Sequence, residues 1–216
     1  MTISRPRLAA LLALFIVSTV SACSNLIPGA GEPLKLYTLT PKSSYTNTLP
    51  KVDWQLVIET PVAPSGLNTN RIALARSPIT LDYYAGATWT DSAPQLVQTL
   101  LIESFENTGR IVAVGRESVG LKPDYVLKLE LREFQAEYED PQAPPTVHVR
   151  VIAKLVRMPA REIIASHMTE QKQAAAANTL NTVVDAFDAA LGPVLKEIVK
   201  WALTAVPPTV PKPPPA

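Results

Sequence analysis

The chain has 216 residues, a formal net charge of +1, a single cysteine (Cys23), two histidines and 21 prolines. A near-neutral chain projects no long-range field for nucleic acid or an anionic surface. One thiol excludes disulfides, zinc ribbons and thioredoxin-like chemistry, so stability must come from packing in one domain with tails.

Arg5 and Arg7 precede an apolar stretch, Leu8 to Val20, that closes on Ser21-Ala22-Cys23. A basic n-region, an apolar h-region and small residues at a cut make a secretory signal. A cysteine directly after the small residues resembles the lipobox of bacterial lipoproteins. That pattern implies cleavage between Ala22 and Cys23 and a diacylglyceryl thioether on Cys23, with an acylated amine of the palmitate type. Two other readings exist. A retained signal-anchor helix needs about twenty apolar residues, more than Leu8 to Val20 supplies. An ordinary secreted chain would carry an unpaired thiol into an oxidising compartment. Several acyl chains anchor firmly, because each buried methylene adds about 0.8 kcal/mol. Ser24 stands where inner-membrane lipoproteins commonly carry Asp, which by analogy points to the outer membrane.

Residues 23–33 read as a flexible tether between lipid and domain, reaching roughly 30 Å when stretched. Leu34 to Thr40 is expected as a short strand stopped by Pro41. Val52 to Thr60 alternates, with Val52, Trp54, Leu56 and Ile58 on one face, as in a half-buried strand. Arg71 to Arg76 and Ile79 to Tyr84 follow as short strands split by Pro78. Ser92-Ala93-Pro94-Gln95 fits a capping box, with Gln95 reaching back, ahead of a helix whose apolar face is Leu96, Val97, Leu100, Leu101 and Phe105. Gly109 suits the left-handed position past the helix end, and Ile111 to Val114 is a brief strand.

Tyr125 to Tyr138 is the longest strand candidate. Tyr125, Leu127, Leu129 and Leu131 share a face, and the pattern then flips to Phe134, Ala136 and Tyr138. A one-residue flip predicts a bulge near Glu133. Val147, Val149, Val151, Ala153 and Leu155 form the inner face of the next strand. Met158 to Arg161 makes a turn, and Glu162 to Gln173 runs back. Thr179 to Leu203 carries a long apolar helical stripe that Gly192-Pro193 should kink or split. Residues 204–216 form a Pro-rich tail, read either as a disordered end or as a spacer or groove-binding peptide. The expected fold class is α/β: one layered domain over residues 34–203, behind a signal peptide at 1–22, with a mixed sheet and two main helices. The segment from Ile79 through the first helix to Ile111 is a candidate parallel crossover.

Enzyme signatures are missing: the chain has no Gly-x-Ser-x-Gly elbow and no phosphate loop. If Arg157 faces Glu162 across the turn, His148 lies opposite Gln171 and His167 opposite Ile152. The two rings are then about 13 Å apart along the strands, too far to share a metal. Two solvated or half-buried histidines are the ordinary reading, and neither a catalytic residue nor a metal site is assigned. Glu137, Glu139 and Asp140 read as a solvated acidic edge, with calcium a distant second. Glu130 and Glu133, alternating with Lys128 and Arg132, read as cross-strand charge pairs. Trp54 reads as core, and Trp201 is left open between sheet packing and a partner. Tyr83, Tyr84 and Trp89 read either as core packing at a strand–helix junction or as a partner or subunit contact.

Several segments together resemble the ABC-type transport auxiliary lipoproteins, a group that includes the lipoprotein of the paraquat-inducible system. They are the lipobox Val20-Ser21-Ala22-Cys23, then Leu36-Tyr37-Thr38-Leu39-Thr40-Pro41, Arg71-Ile72, Leu81 to Trp89, Asp124-Tyr125-Val126-Leu127, and Val184 to Leu191. Gly192-Pro193 and the proline tail depart from the pattern. The resemblance implies a non-enzymatic role without a cofactor. Its implied partners are a periplasmic lipid-binding MCE protein and, through it, an ABC permease and ATPase. A ring of identical subunits at the periplasmic face of the outer membrane is also implied. Two other functions compete. A lipid carrier would need an apolar pocket above about 300 Å³. An envelope hydrolase would need a hydroxyl–histidine–carboxylate arrangement.

Overall fold

The computed structural model describes residues 33–45, 49–117, 120 and 122–206. The expected signal peptide, cleavage site and Cys23, the tether up to residue 32 and the tail from residue 207 onward lie outside the described residues. The strands are β1 (Lys35–Tyr37), β2 (Gln55–Ile58), β3 (Arg71–Ser77), β4 (Thr80–Trp89), β5 (Ala113–Gly115), β6 (Tyr125–Glu137), β7 (Thr146–Arg157) and β8 (Glu162–Ala174). Helix α1 (Ala93–Glu106) lies between β4 and β5, and α2 (Leu180–Ala205) ends the domain. The result is one mixed eight-stranded sheet with two helices, the α/β class expected.

Strand β6 organises the sheet. Along one edge it pairs β7 antiparallel, and β7 pairs β8. Its other edge is shared: the start pairs β2, Val62 bridges Glu130 midway, and the end pairs β3, all parallel. From this rail two arms diverge. One carries β5 beside β2; the other carries β4 antiparallel to β3 and β1 parallel to β4. The expected crossover from Ile79 to Ile111 is therefore corrected. The strand ahead of α1 joins a hairpin with β3, and β5 pairs β2 instead.

The side chains explain the layers. Val147, Val149, Val151, Ala153 and Leu155 on β7 are fully buried, as are Leu127, Leu131 and Ala136 on β6. They meet α2, whose Val183, Phe187, Leu191, Val194, Leu195 and Ile198 are also fully buried. The bulge in β6 falls where the flip placed it: Leu131 faces Val151 and Glu133 faces Arg150, leaving Arg132 unopposed. That extra residue keeps both Leu131 and Phe134 on the core face.

Several boundaries differ from the sequence reading. Regular pairing in the first strand covers only Lys35–Tyr37. The second covers only Gln55–Ile58, and it is buried on both faces, because Val57 packs with Val126, Val156 and Met158 on the far side. The fourth strand extends to Trp89. Ser92 caps α1 by position alone: its hydroxyl donates to Gln95 Oε1 at 3.0 Å and to no backbone group. Helix α2 is not split at Gly192-Pro193. Pro193 and Ala189, whose carbonyl loses its donor, are both exposed, so water can satisfy that carbonyl.

Candidate functional site

Among the described residues no helix lies over the far face of β6–β8. Its side chains form rows across the strands: Glu130–Ile152–Met168, Glu133–Arg150–Glu170 and Gln135–His148–Lys172. Ion pairs knit the rows together. Lys154 bonds Glu130 at 2.7 Å, Lys128 bonds Glu59 at 2.7 Å, and Arg150 and Arg132 pair with Glu133 and Glu130. Hydrogen bonds from Lys154 and then Arg132 hold the Glu130 carboxyl below its usual range. The charge pairing expected of Glu130 and Glu133 is therefore present, with two of its three cations, Arg150 and Lys154, supplied by β7, while Lys128 pairs with Glu59 instead. Ile152 and Met168 form an apolar centre, and Met168 is 57% exposed.

His148 is buried on this face, at 6% exposure, beside the equally buried Gln135. Its Nδ1 lies 2.7 Å from Glu137 Oε1 and its Nε2 lies 2.6 Å from Glu170 Oε1. The two carboxylates thus bracket the ring, one at each nitrogen. Burial alone would raise the Glu137 carboxyl, but hydrogen bonds and charge from His148 and Lys172 bring it below its usual range. The solvated or half-buried reading of His148 is corrected: neighbouring strands cover the ring. Its cross-strand partner is Lys172, not Gln171, because a second bulge between Leu155 and Val156 shifts β8 by one residue.

The same shift places His167 opposite Ala153, five residues out of step with His148. His167 is half-buried on the helix side, stacked on Trp201 with ring centroids 5.4 Å apart. Its Nε2 reaches Glu197 Oε1 at 2.9 Å, while the Thr169 hydroxyl donates to Glu197 Oε2 at 3.0 Å. Trp201 therefore packs within the domain. The carboxylate lies between hydroxyl and imidazole, the wrong order for a hydrolytic triad. Oxygen and nitrogen atoms of Glu133, Glu137 and His148 lie within 4.8 Å of one another. Arg150 already pairs with Glu133, and Lys172 with Glu137, which also bonds His148. The cluster is accordingly an ion-pair network.

The aromatic corner divides. Trp89 is 1% exposed, packed against Phe134 and Phe187 at centroid distances of 5.8 and 5.2 Å. Of its two readings, the structure places it in the core, so it offers no contact surface in this fold. Tyr83 and Tyr84 are half-buried. The Arg71 guanidinium sits 3.7 Å above the Tyr83 ring, and the Tyr83 hydroxyl donates to Gly66 O at 3.0 Å. The Tyr84 and Tyr138 hydroxyls share a 2.9 Å hydrogen bond, and Tyr138 continues to Asn178 at 2.9 Å. Burial, with Tyr138 adding to it, pushes the Tyr84 hydroxyl far up. Trp54 is core, edge-on to Tyr125.

A cleft of about 420 Å³ opens between the end of β2, the start of α1 and Arg116. Glu59, Thr60, Asp91, Gln95, Gln98, Thr99, Arg116 and Glu117 line it, all polar or charged. At its back the buried Gln98 donates to Ile58 O at 2.8 Å and accepts from Thr60 at 3.2 Å and Arg116 at 3.3 Å. Alternation could have located the ladder, but the β8 bulge hid the His148 partners. Nothing local marks Gln98 as buried, because its neighbours Ile58 and Arg116 come from distant chain segments. Among the described residues no helix is long and apolar enough to cross a membrane.

Residues 37–199 match the family described as "ABC-type transport auxiliary lipoprotein component". A curated relative, uncharacterized protein bll6063 of Bradyrhizobium diazoefficiens, is 29% identical over 181 residues, which is 82% of this chain. The chain spans about half, 48%, of that relative's length. The crystal structure of protein XCC0632 from Xanthomonas campestris, described under DUF330, is similar at a TM-score of 0.74 and 28% identity, covering 79% of this chain and 95% of that one. Another crystal structure, of an uncharacterized protein, shares the fold at a TM-score of 0.62 and 13% identity, covering 79% and 99%. The match over most of the domain, with the same architecture in XCC0632, shows that the chain belongs to the ABC-type transport auxiliary lipoprotein component family.

Proposed function

We propose that this chain is the non-catalytic docking and assembly subunit of an MCE-type ABC transport system that moves lipids or other apolar molecules. In this reading a lipid on Cys23, exposed by cleavage after Ala22, anchors it to the periplasmic face of the outer membrane. The tether at 23–33 lets the domain search, and confinement near the membrane raises its effective concentration for a partner. The uncovered β6–β8 face carries the proposal: a braced sheet surface with Ile152 and Met168 at its centre and charged side chains around them. An apolar centre inside a polar rim is the anatomy of a protein interface. Tyr83 and Tyr84, half-buried and successive on β4, face opposite sides of the β3–β4 arm and would each offer a separate contact there.

The cleft argues against the alternative, a carrier with its own cargo pocket. It is large enough, but a lining of carboxylates, amides and hydroxyls would leave an acyl chain facing desolvated polar groups. The test is capture of the MCE protein by the full chain carrying Cys23→Ser. Met168→Asp should weaken capture at least tenfold while leaving thermal stability nearly unchanged, since Met168 is exposed. Capture at the original strength by Met168→Asp would remove this face as the dock. Absence of any capture by the parent chain, with stoichiometric lipid in the purified protein, would favour the carrier.

A further inference from the structure

We propose that the tip of the β3–β4 hairpin is a second membrane-touching site of the domain, one that takes a zwitterionic lipid surface. The proposal rests on the reading of Cys23 as a lipid anchor.

The hairpin turns on Pro78-Ile79, between Ser77 and Thr80, which pair across it. Two-residue hairpin turns favour Asn, Asp and Gly, which tolerate the required backbone and prefer water. Ile79 is neither polar nor flexible, and it is 94% exposed. Leu81, next along the hairpin, is 39% exposed. Leu34, just ahead of the adjoining β1, and Leu36 within it are 63% and 67% exposed. An apolar turn residue held in water costs solvation free energy unless something apolar covers it.

The register gives the side of the domain from which the chain enters β1. Strand β1 runs parallel to β4 with Lys35 opposite Ala87, so Leu34 stands level with Gly86. Because the two strands are parallel, the chain enters β1 from the side of the hairpin tip. Ile79 lies seven residues back from Gly86 along β4, at most roughly 23 Å at 3.3 Å per residue. Ser24 to Pro33 can span at most roughly 33 Å. Cys23 and Ile79 can therefore reach the same bilayer surface, with about three residues of slack. A tether shorter than about seven residues could not allow it.

Charges at this end are mixed. Arg76 and Asp82 flank the tip on the hairpin, and Glu139 and Asp140 lie on the loop after β6, which ends beside β3. This balance gives no attraction to an anionic surface, so the contact is apolar insertion into a zwitterionic interface. Burying an isoleucine side chain corresponds to about tenfold or more in partitioning. That is enough to orient a domain already held by its lipid.

The test uses the full lipidated chain in vesicles of phosphatidylethanolamine and phosphatidylcholine containing a doxyl-lipid quencher. With the Cys23 thiol carrying lipid, Ile79→Cys supplies one free thiol for an environment-sensitive fluorophore. Lys196→Cys, on the exposed side of α2, is the reference. The label at 79 should be quenched several-fold more than the label at 196, unchanged by 0.5 M salt. Equal quenching while the protein floats with the vesicles overturns the proposal and leaves the anchor standing. Loss of the difference in salt also overturns it, in favour of electrostatic contact. A chain that does not float, with an unmodified Cys23 by mass, overturns the anchor reading and this proposal with it.

Discussion

Trp89 tests the packing argument most directly, because the residue had two readings and its burial favours one. The indole is 1% exposed and closes a triangle with Phe134 and Phe187, whose own centroids are 5.0 Å apart. Truncation of a buried Trp to Ala costs about 3–5 kcal/mol. Each aromatic contact adds about 0.5–1.5 kcal/mol beyond its area, while removal of the buried indole N–H offsets a similar amount, which keeps Trp89→Ala within that range. A domain with about 5–15 kcal/mol of total stability would become marginal. Trp89→Phe should behave differently. The indole N–H is buried without an acceptor among the described residues, and such a donor costs about 1–3 kcal/mol. The lost volume, on the order of 40 Å³, costs about 1 kcal/mol at roughly 24 cal/mol per Å³. The two effects offset, so Trp89→Phe should be neutral or stabilising by up to about 2 kcal/mol. Urea unfolding of the full chain with Cys23→Ser measures both, and Trp54 and Trp201 remain as fluorescence reporters. A loss below about 1 kcal/mol for Trp89→Ala would refute the core assignment and return Trp89 to the surface. A loss above about 2 kcal/mol for Trp89→Phe would refute the unmet-donor argument.

His148→Leu leaves Glu137 and Glu170 facing each other without the ring between them, and should cost about 1–3 kcal/mol in the same urea assay; an unchanged midpoint would show that the ladder does not depend on it. Because the Glu137 carboxyl sits below its ordinary value of 4.5 in the folded chain, its contribution is present above that value and fades as pH falls through the lowered one. Unfolding midpoints should therefore drop below about pH 4.5, less steeply in His148→Leu, and parallel acid limbs for the two proteins would contradict this. Two glycines should respond differently. Gly192→Ala gains helix propensity in a helix interior but sets its Cβ against the Pro193 ring, so it should stay within about 0.5 kcal/mol of neutral. Gly109→Ala, forced to a φ of +59°, should destabilise by about 1 kcal/mol. Equal shifts from both would disprove the conformational argument.

Local periodicity was enough to read much of the architecture. The stripe from Val183 to Ile198, the valine alternation in β7 and the phase flip after Leu131 each follow from a period of 3.6 or 2, and the residues they point inward are those buried. The left-handed Gly109 follows from backbone sterics alone. Pairing partners were less legible. The link between β2 and β5 spans a hairpin and a helix, and no local signal marks which strand a parallel partner will meet. Likewise, the shift between Leu155 and Val156 moves His148 from Gln171 to Lys172, and with that one residue the whole ladder changes partners.

The amino-acid order by itself determined the secretory-type leader pattern ending at Cys23, the alternation of strands and helices, and which face of each turns inward, because these depend on neighbours within a few residues. Only the tertiary structure decided that Trp89 is core, that His148 sits between two carboxylates, that the cleft is polar and that Ile79 stands exposed at a hairpin tip. Those outcomes depend on contacts between segments tens of residues apart, whose registry is set when the sheet closes rather than by any local pattern.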